Sequence, residues 1–261
     1  MKLKSPNINS EDFMLLEKFV EKTDYTYSFD GEVAMEGIKL LLKVVKDMGL
    51  DPMKTEDLKS GIMSIFNIEV INMPDLNNNR FILTPNHVSD LDAIILGLLH
   101  PKIRIVAKND WINNKKLREF LDLHYDLCGI ERTSLQSLRT LLTEATHYFN
   151  DGDENKHYLV FSQGTISDFN NNSLERISPI AQKISNKTDV PILNMFIEQA
   201  SIYEPTRIVF DSPIKLSPKD DFRKIWLERE MEMQNSLVPK ARYPKLSYKH
   251  MNNNKEGEEF F

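Results

Sequence analysis

Asn86-His87-Val88-Ser89-Asp90-Leu91-Asp92 sets a histidine five positions ahead of an aspartate, directly after the apolar run Phe81-Ile82-Leu83-Thr84-Pro85. An imidazole accepts a proton near neutral pH, and a carboxylate on its other nitrogen fixes the tautomer and stabilises the imidazolium. Residues five apart on a regular helix lie well apart around the axis. His87 and Asp92 can therefore meet only with the histidine in a loop and the aspartate in the first helical turn. Ser89 supplies that boundary as an N-cap, and a helical apolar run begins at Leu91. The same residues fit a second pattern, because Ser89-x-x-Asp92 is a capping box that would leave His87 an ordinary loop residue. Spacing alone leaves both readings open.

The elements around this segment divide the chain in two. From Ser10 to about Asn72 the pattern is helical: Phe13, Leu16, Phe19 and Val20 form one stripe, and Ala34, Ile38, Leu41, Leu42, Val45 and Met48 form another that ends at Gly49. A third helix starts at the cap Thr55 and buries Leu58, Ile62, Ile65 and Phe66. From Asn79 short β-rich runs near 80–84, 102–107, 126–131, 157–162, 190–197 and 206–211 alternate with helices near 90–99, 114–122, 134–150 and 174–187. Such alternation predicts an α/β fold, a mixed and mostly parallel sheet flanked by helices. Pro205 allows the last two strands to pair antiparallel. One more helix is expected over 218–236, followed by a polar tail expected to be mobile. The expected division is an N-terminal helical domain over 1–75, an α/β domain over 76–240 and a tail over 241–261.

Composition narrows the function classes. The chain has 261 residues, 41% hydrophobic and 28% charged, as a soluble globular protein does. Its net charge of −6 gives no overall attraction for nucleic acid or an anionic bilayer. Cys128 is the lone cysteine, so no intrachain disulfide can form and a reducing cytoplasm is the natural setting. The N-terminus lacks the apolar core of a signal peptide, and no segment reaches the roughly 18 apolar residues that cross a bilayer. Work on lipids would take place from the surface, as a peripheral contact.

Other chemistries fit poorly. Ser162 has Val160 two positions before it where a Gly-x-Ser-x-Gly elbow has glycine, and His87 lies far upstream of it. Cys128 beside Gly129 in an apolar strand reads as a packing residue. Asp168 to Asn172 imitates the start of a calcium loop, but Ser173 stands where glycine is needed and Pro179 where the closing carboxylate belongs. His100, His124, His147, His157 and His250 show no metal-ligand spacing. No glycine-rich phosphate loop appears, so no cofactor is expected.

Several segments arrive in an order that resembles the glycerol-3-phosphate and lysophosphatidate acyltransferase family. Asn86-His87-x-Ser89-x-x-Asp92 is similar to its first block, Val106-Ala107-Lys108 to the lysine-bearing strand that follows, and Gly129-Ile130-Glu131-Arg132 to the second block. Phe161-Ser162-Gln163-Gly164-Thr165-Ile166-Ser167 resembles the third, usually Phe-Pro-Glu-Gly-Thr-Arg-Ser, and Val190-Pro191-Ile192 resembles the fourth. The third block departs from the pattern at Ser162, Gln163 and Ile166. The family's arginine at the place of Ile166 is implicated in holding the acceptor's phosphate, so its absence points to an unusual acceptor.

The resemblance implies transfer of a fatty acyl group from coenzyme A or acyl carrier protein to a hydroxyl of glycerol-3-phosphate, a lysophospholipid or a related acceptor, with no cofactor. His87 would take the hydroxyl proton and Asp92 would orient it. Lys108 and Arg132 would hold the acceptor's anionic group. Asn86, Ser89, Gln163, Gly164 and Thr165 would complete the substrate site. Two rivals stand beside this expectation: an acyl-thioester hydrolase in which water replaces the alcohol, and a non-catalytic acyl- or lipid-binding protein of the same fold.

Overall fold

The computed structural model describes Leu16 and residues 31–89, 91–131, 135–152, 155–164, 177–198 and 204–237. Phe13, Phe19 and Val20 of the first expected helix lie outside these residues. So do Arg132, Thr165, Ile166, residues 168–173 of the calcium-loop mimic, residues 174–176 and the tail; the helix expected from 174 starts only at Ile180, with 177–179 non-helical.

Helix α1 (Gly31–Asp47) and helix α2 (Thr55–Ile65) open the described chain. Ile38, Leu41 and Val45 turn inward along α1 at helical spacing, with Met48 just past its end, and pack against Leu58, Ile62 and Ile65 of α2. The backbone leaves α1 through Gly49 at φ +83°, a conformation that glycine adopts without a Cβ penalty. Thr55 is the first helical residue rather than the cap. Lys54 takes the cap position with no side-chain capping bond, and the Thr55 hydroxyl instead meets His124 Nδ1 at 3.1 Å. Tertiary contact has outcompeted the local cap.

Seven strands follow: β1 (Ile68–Ile71), β2 (Phe81–Pro85), β3 (Ile103–Lys108), β4 (Asp126–Ile130), β5 (His157–Leu159), β6 (Ile192–Ile197) and β7 (Thr206–Phe210). They form one sheet in the order β1-β7-β6-β2-β5-β3-β4. β6, β2, β5, β3 and β4 run parallel, β7 pairs antiparallel with β6, and β1 runs parallel to β7. The mixed, mostly parallel sheet is as expected, and the last pair takes the antiparallel alternative that the sequence allowed. β1 corrects the helical reading of the segment up to Asn72. Three apolar residues around Glu69 are too short a run to show a period, and their partner strand begins at Thr206, far along the chain.

Helices cover both faces. α1, α2, α3 (Leu91–Gly97) and α5 (Lys115–His124) lie over the face that carries Phe81 and Leu83, while α6 (Leu135–Asn150), α7 (Ile180–Thr188) and α8 (Phe222–Ser236) pack on the face that carries Ile82. Short α4 (Asn109–Asn113) follows β3 directly. β2 and β6 are buried along their whole length, which is why their sequences run apolar without alternation. Among the described residues no helix is long and apolar enough to cross a membrane.

Candidate active site

Parallel strands bring the residues that follow their carboxyl ends to one edge of the sheet, where open α/β folds bind ligands. Here that edge collects Asn86 and His87 after β2, Gln163 and Gly164 just past β5, Ile197 and Glu198 at the end of β6, and Lys108 at the end of β3. Residues separated by more than 70 positions in the chain thus become neighbours.

His87 Nδ1 lies 3.0 Å from Asp92 Oδ2. The helix does begin at Leu91, so the histidine sits in the loop and the aspartate in the first turn, as the spacing requires. The Asp92 carboxylate is fully buried and saturated with donors. Oδ2 also accepts the backbone N–H groups of Val88 at 2.6 Å and Ser89 at 2.9 Å, and Oδ1 accepts the Ser89 hydroxyl at 2.8 Å. The Ser89 N–H bond is the carboxylate half of a capping box. The two readings of the sequence are therefore one structure, in which a single side chain closes the helix start and holds the imidazole.

Supports converge on His87 from three strands. The Asn86 side chain pairs with the Ile197 peptide in both directions, its amide donating to the carbonyl at 2.9 Å and its oxygen accepting the N–H at 2.7 Å. That clasp ties the end of β2 to the end of β6. Gln163, 4% exposed, accepts the His87 backbone N–H on Oε1 at 2.7 Å. Phe161 stacks its ring on the imidazole, with centroids 4.1 Å apart and planes inclined by 29°. Gly164, at φ +71°, closes the turn by donating its N–H to the Phe161 carbonyl at 2.9 Å. Of the side chains expected to meet substrate, Ser89 and Gln163 spend their described bonds on the dyad and its loop, and Asn86 spends its own on the Ile197 peptide.

The aromatic stack of Phe161 and the Ile197 clasp were not foreseen. Phe161 stood in the third block, but nothing local says which side chain it touches. Lys108 has no ion-pair partner among the described residues, and its strand lies two spacings from β2, about 10 Å. Arg132 follows neighbouring β4 outside the described residues. Glu198 is buried beside Ile197 and takes the Arg207 Nε at 2.7 Å, which neutralises both.

Burial pushes the Cys128 thiol up to about 11, so it stays protonated and is no nucleophile near neutral pH. Among the described residues no three His, Cys, Asp or Glu side chains gather as a metal would need. A surface cleft of about 650 Å³ lies along α6, lined by Arg104, Arg139, His147 and Asp151 among others. It includes none of the dyad's supports.

The family model described as Acyltransferase matches residues 67–208, just over half of the chain and the span that holds the whole arrangement above. No curated protein sequence matches. Among solved structures, the chain is similar to the 1-acyl-sn-glycerophosphate (LPA) acyltransferase PlsC from Thermotoga maritima, with 16% identity, a TM-score of 0.48, and coverage of 88% of this chain and 98% of that one.

Proposed function

From the premise that this chain belongs to the Acyltransferase family, we propose that it moves a fatty acyl group from an acyl thioester to an alcohol, with His87 as general base. The observation that supports this most is the 3.0 Å contact between His87 Nδ1 and the fully buried Asp92 carboxylate. A carboxylate on Nδ1 keeps the proton there and leaves the lone pair on Nε2. The imidazole is 13% exposed, so a substrate hydroxyl can reach its edge.

In the proposed reaction Nε2 removes the hydroxyl proton as the oxygen attacks the thioester carbonyl. The tetrahedral intermediate then expels the thiolate, which recovers the proton from the imidazolium, and ester and thiol leave. Asp92 stabilises the transient imidazolium. General-base catalysis of this kind contributes about 100- to 10,000-fold. Lys108, with Arg132, is the cation assigned to the acceptor's anionic group, and backbone amides from Thr165 onward are the donors assigned to the oxyanion, since the Gly164 N–H is given to Phe161. The donors that fit are acyl-CoA or an acylated carrier protein. The acceptors are glycerol-3-phosphate, a lysophospholipid or a related alcohol, with Ile166 favouring one that lacks phosphate.

Incubating the purified protein with labelled acyl-CoA or acyl carrier protein against glycerol-3-phosphate, lysophosphatidate and uncharged alcohols, with products identified by mass, tests the reading. A new ester supports it. Thioester loss without an alcohol makes the protein a hydrolase, and donor binding without turnover makes it a binding protein.

A further inference from the structure

Three consecutive backbone N–H groups run through the loop that carries the imidazole, and each ends on a side-chain oxygen. Val88 and Ser89 give theirs to Asp92, and His87 gives its own to Gln163 at 2.7 Å. Asp92 thus holds the Nδ1 side of the ring and the far end of the loop, while Gln163 holds the backbone from which the ring hangs. Gln163 is itself fixed: it is buried, it precedes the turn residue Gly164, and Phe161 two positions earlier lies flat on the imidazole.

We propose that Gln163 is a positioning residue for His87, setting where the imidazole meets the acceptor hydroxyl by accepting the His87 main-chain N–H. The inference rests on the reading of His87 as base. An oxygen lone pair is all the bond requires, so the neutral amide performs this task without a carboxylate's charge. A displacement of about 1 Å at reacting atoms costs on the order of 100-fold in rate. Loss of the bond therefore lowers turnover while the surfaces that bind substrate stay in place.

The test compares Gln163→Leu, which removes the acceptor at similar volume, with Gln163→Glu, which keeps an oxygen. In Gln163→Leu, kcat is expected to fall about 10- to 100-fold with KM within about two-fold of wild type, and Gln163→Glu recovers most of that loss. Hydrogen exchange at the His87 amide, measured without substrate, accelerates in Gln163→Leu and slows again in Gln163→Glu. Full kcat with unchanged exchange in Gln163→Leu overturns the proposal. A loss carried by KM overturns it too, because it would put Gln163 on the substrate. Should Gln163→Leu not fold, Gln163→Glu decides: retained His87 protection and turnover support the proposal, and loss of both overturns it. A wild-type protein that transfers no acyl group sinks the proposed function alone, since the amide exchange still judges the clamp.

Discussion

His87 follows the carboxyl end of β2 and His157 opens β5, so adjacent parallel strands present one histidine at each edge of the same sheet. Both rings have an aromatic neighbour, Phe161 at 4.1 Å for His87 and Phe81 at 5.8 Å for His157. The other partners differ. His87 meets a carboxylate and is 13% exposed, whereas His157 is fully buried, with Nε2 at 3.0 Å from the Leu76 carbonyl and the His100 ring edge-on at 4.8 Å. Burial, and after it the charge of His100, push the His157 imidazole down to about 4, so it stays neutral and packs. Residue type says little; a carboxylate neighbour and access to solvent separate the proposed base from a core residue.

The sharpest way to break this contrast is to remove the carboxylate. In Asp92→Asn the amide cannot stabilise an imidazolium, and turnover is expected to fall by about 100- to 10,000-fold in steady-state assays. A change of less than about five-fold would return Asp92 to a capping role only.

The opposite edge responds through stability. Folded His157 protonates near 4 and the unfolded residue near 6.5, so between those values the unfolded chain binds more protons. Stability is complete above 6.5 and drains as pH falls towards 4, by about 3 kcal/mol. Denaturant titrations across that window should show the slope, and His157→Leu should flatten it. An unaltered slope would place the titrating group elsewhere.

A smaller effect comes from Glu230 in α8, fully buried, with no hydrogen-bond partner for its carboxyl among the described residues. Burial, and then the charge of Asp211, raise its carboxyl well above the usual range. The unfolded carboxyl ionises above about 4.5 while the folded one stays protonated, so this group costs stability as pH rises. Glu230→Met is expected to stabilise the fold by about 1–3 kcal/mol near neutral pH and by less in acid. Equal gains at both pH values would show that the carboxyl does not titrate as described.

How far the sequence was legible follows from how local each feature is. The five-residue spacing with Ser89 between spelled out the loop and first turn at His87 and Asp92. The apolar β-branched runs likewise announced β2, β3 and β6. β1 was hidden because Ile68 to Ile71 show no period and their partner lies at the other end of the chain. Gln163 was seen as a changed letter in a block. Its bond to His87 spans 76 positions and exists only once β5 lies beside β2. Asn86 met the same limit, with its Ile197 partner 111 positions away.

Acyl transfer by His87→Ala, run beside wild type at equal folded concentration with thermal melting as the control for structure, tests the central assignment most directly. A loss on the order of 100- to 10,000-fold with melting unchanged is expected. Undiminished transfer by a normally folded His87→Ala protein would contradict it.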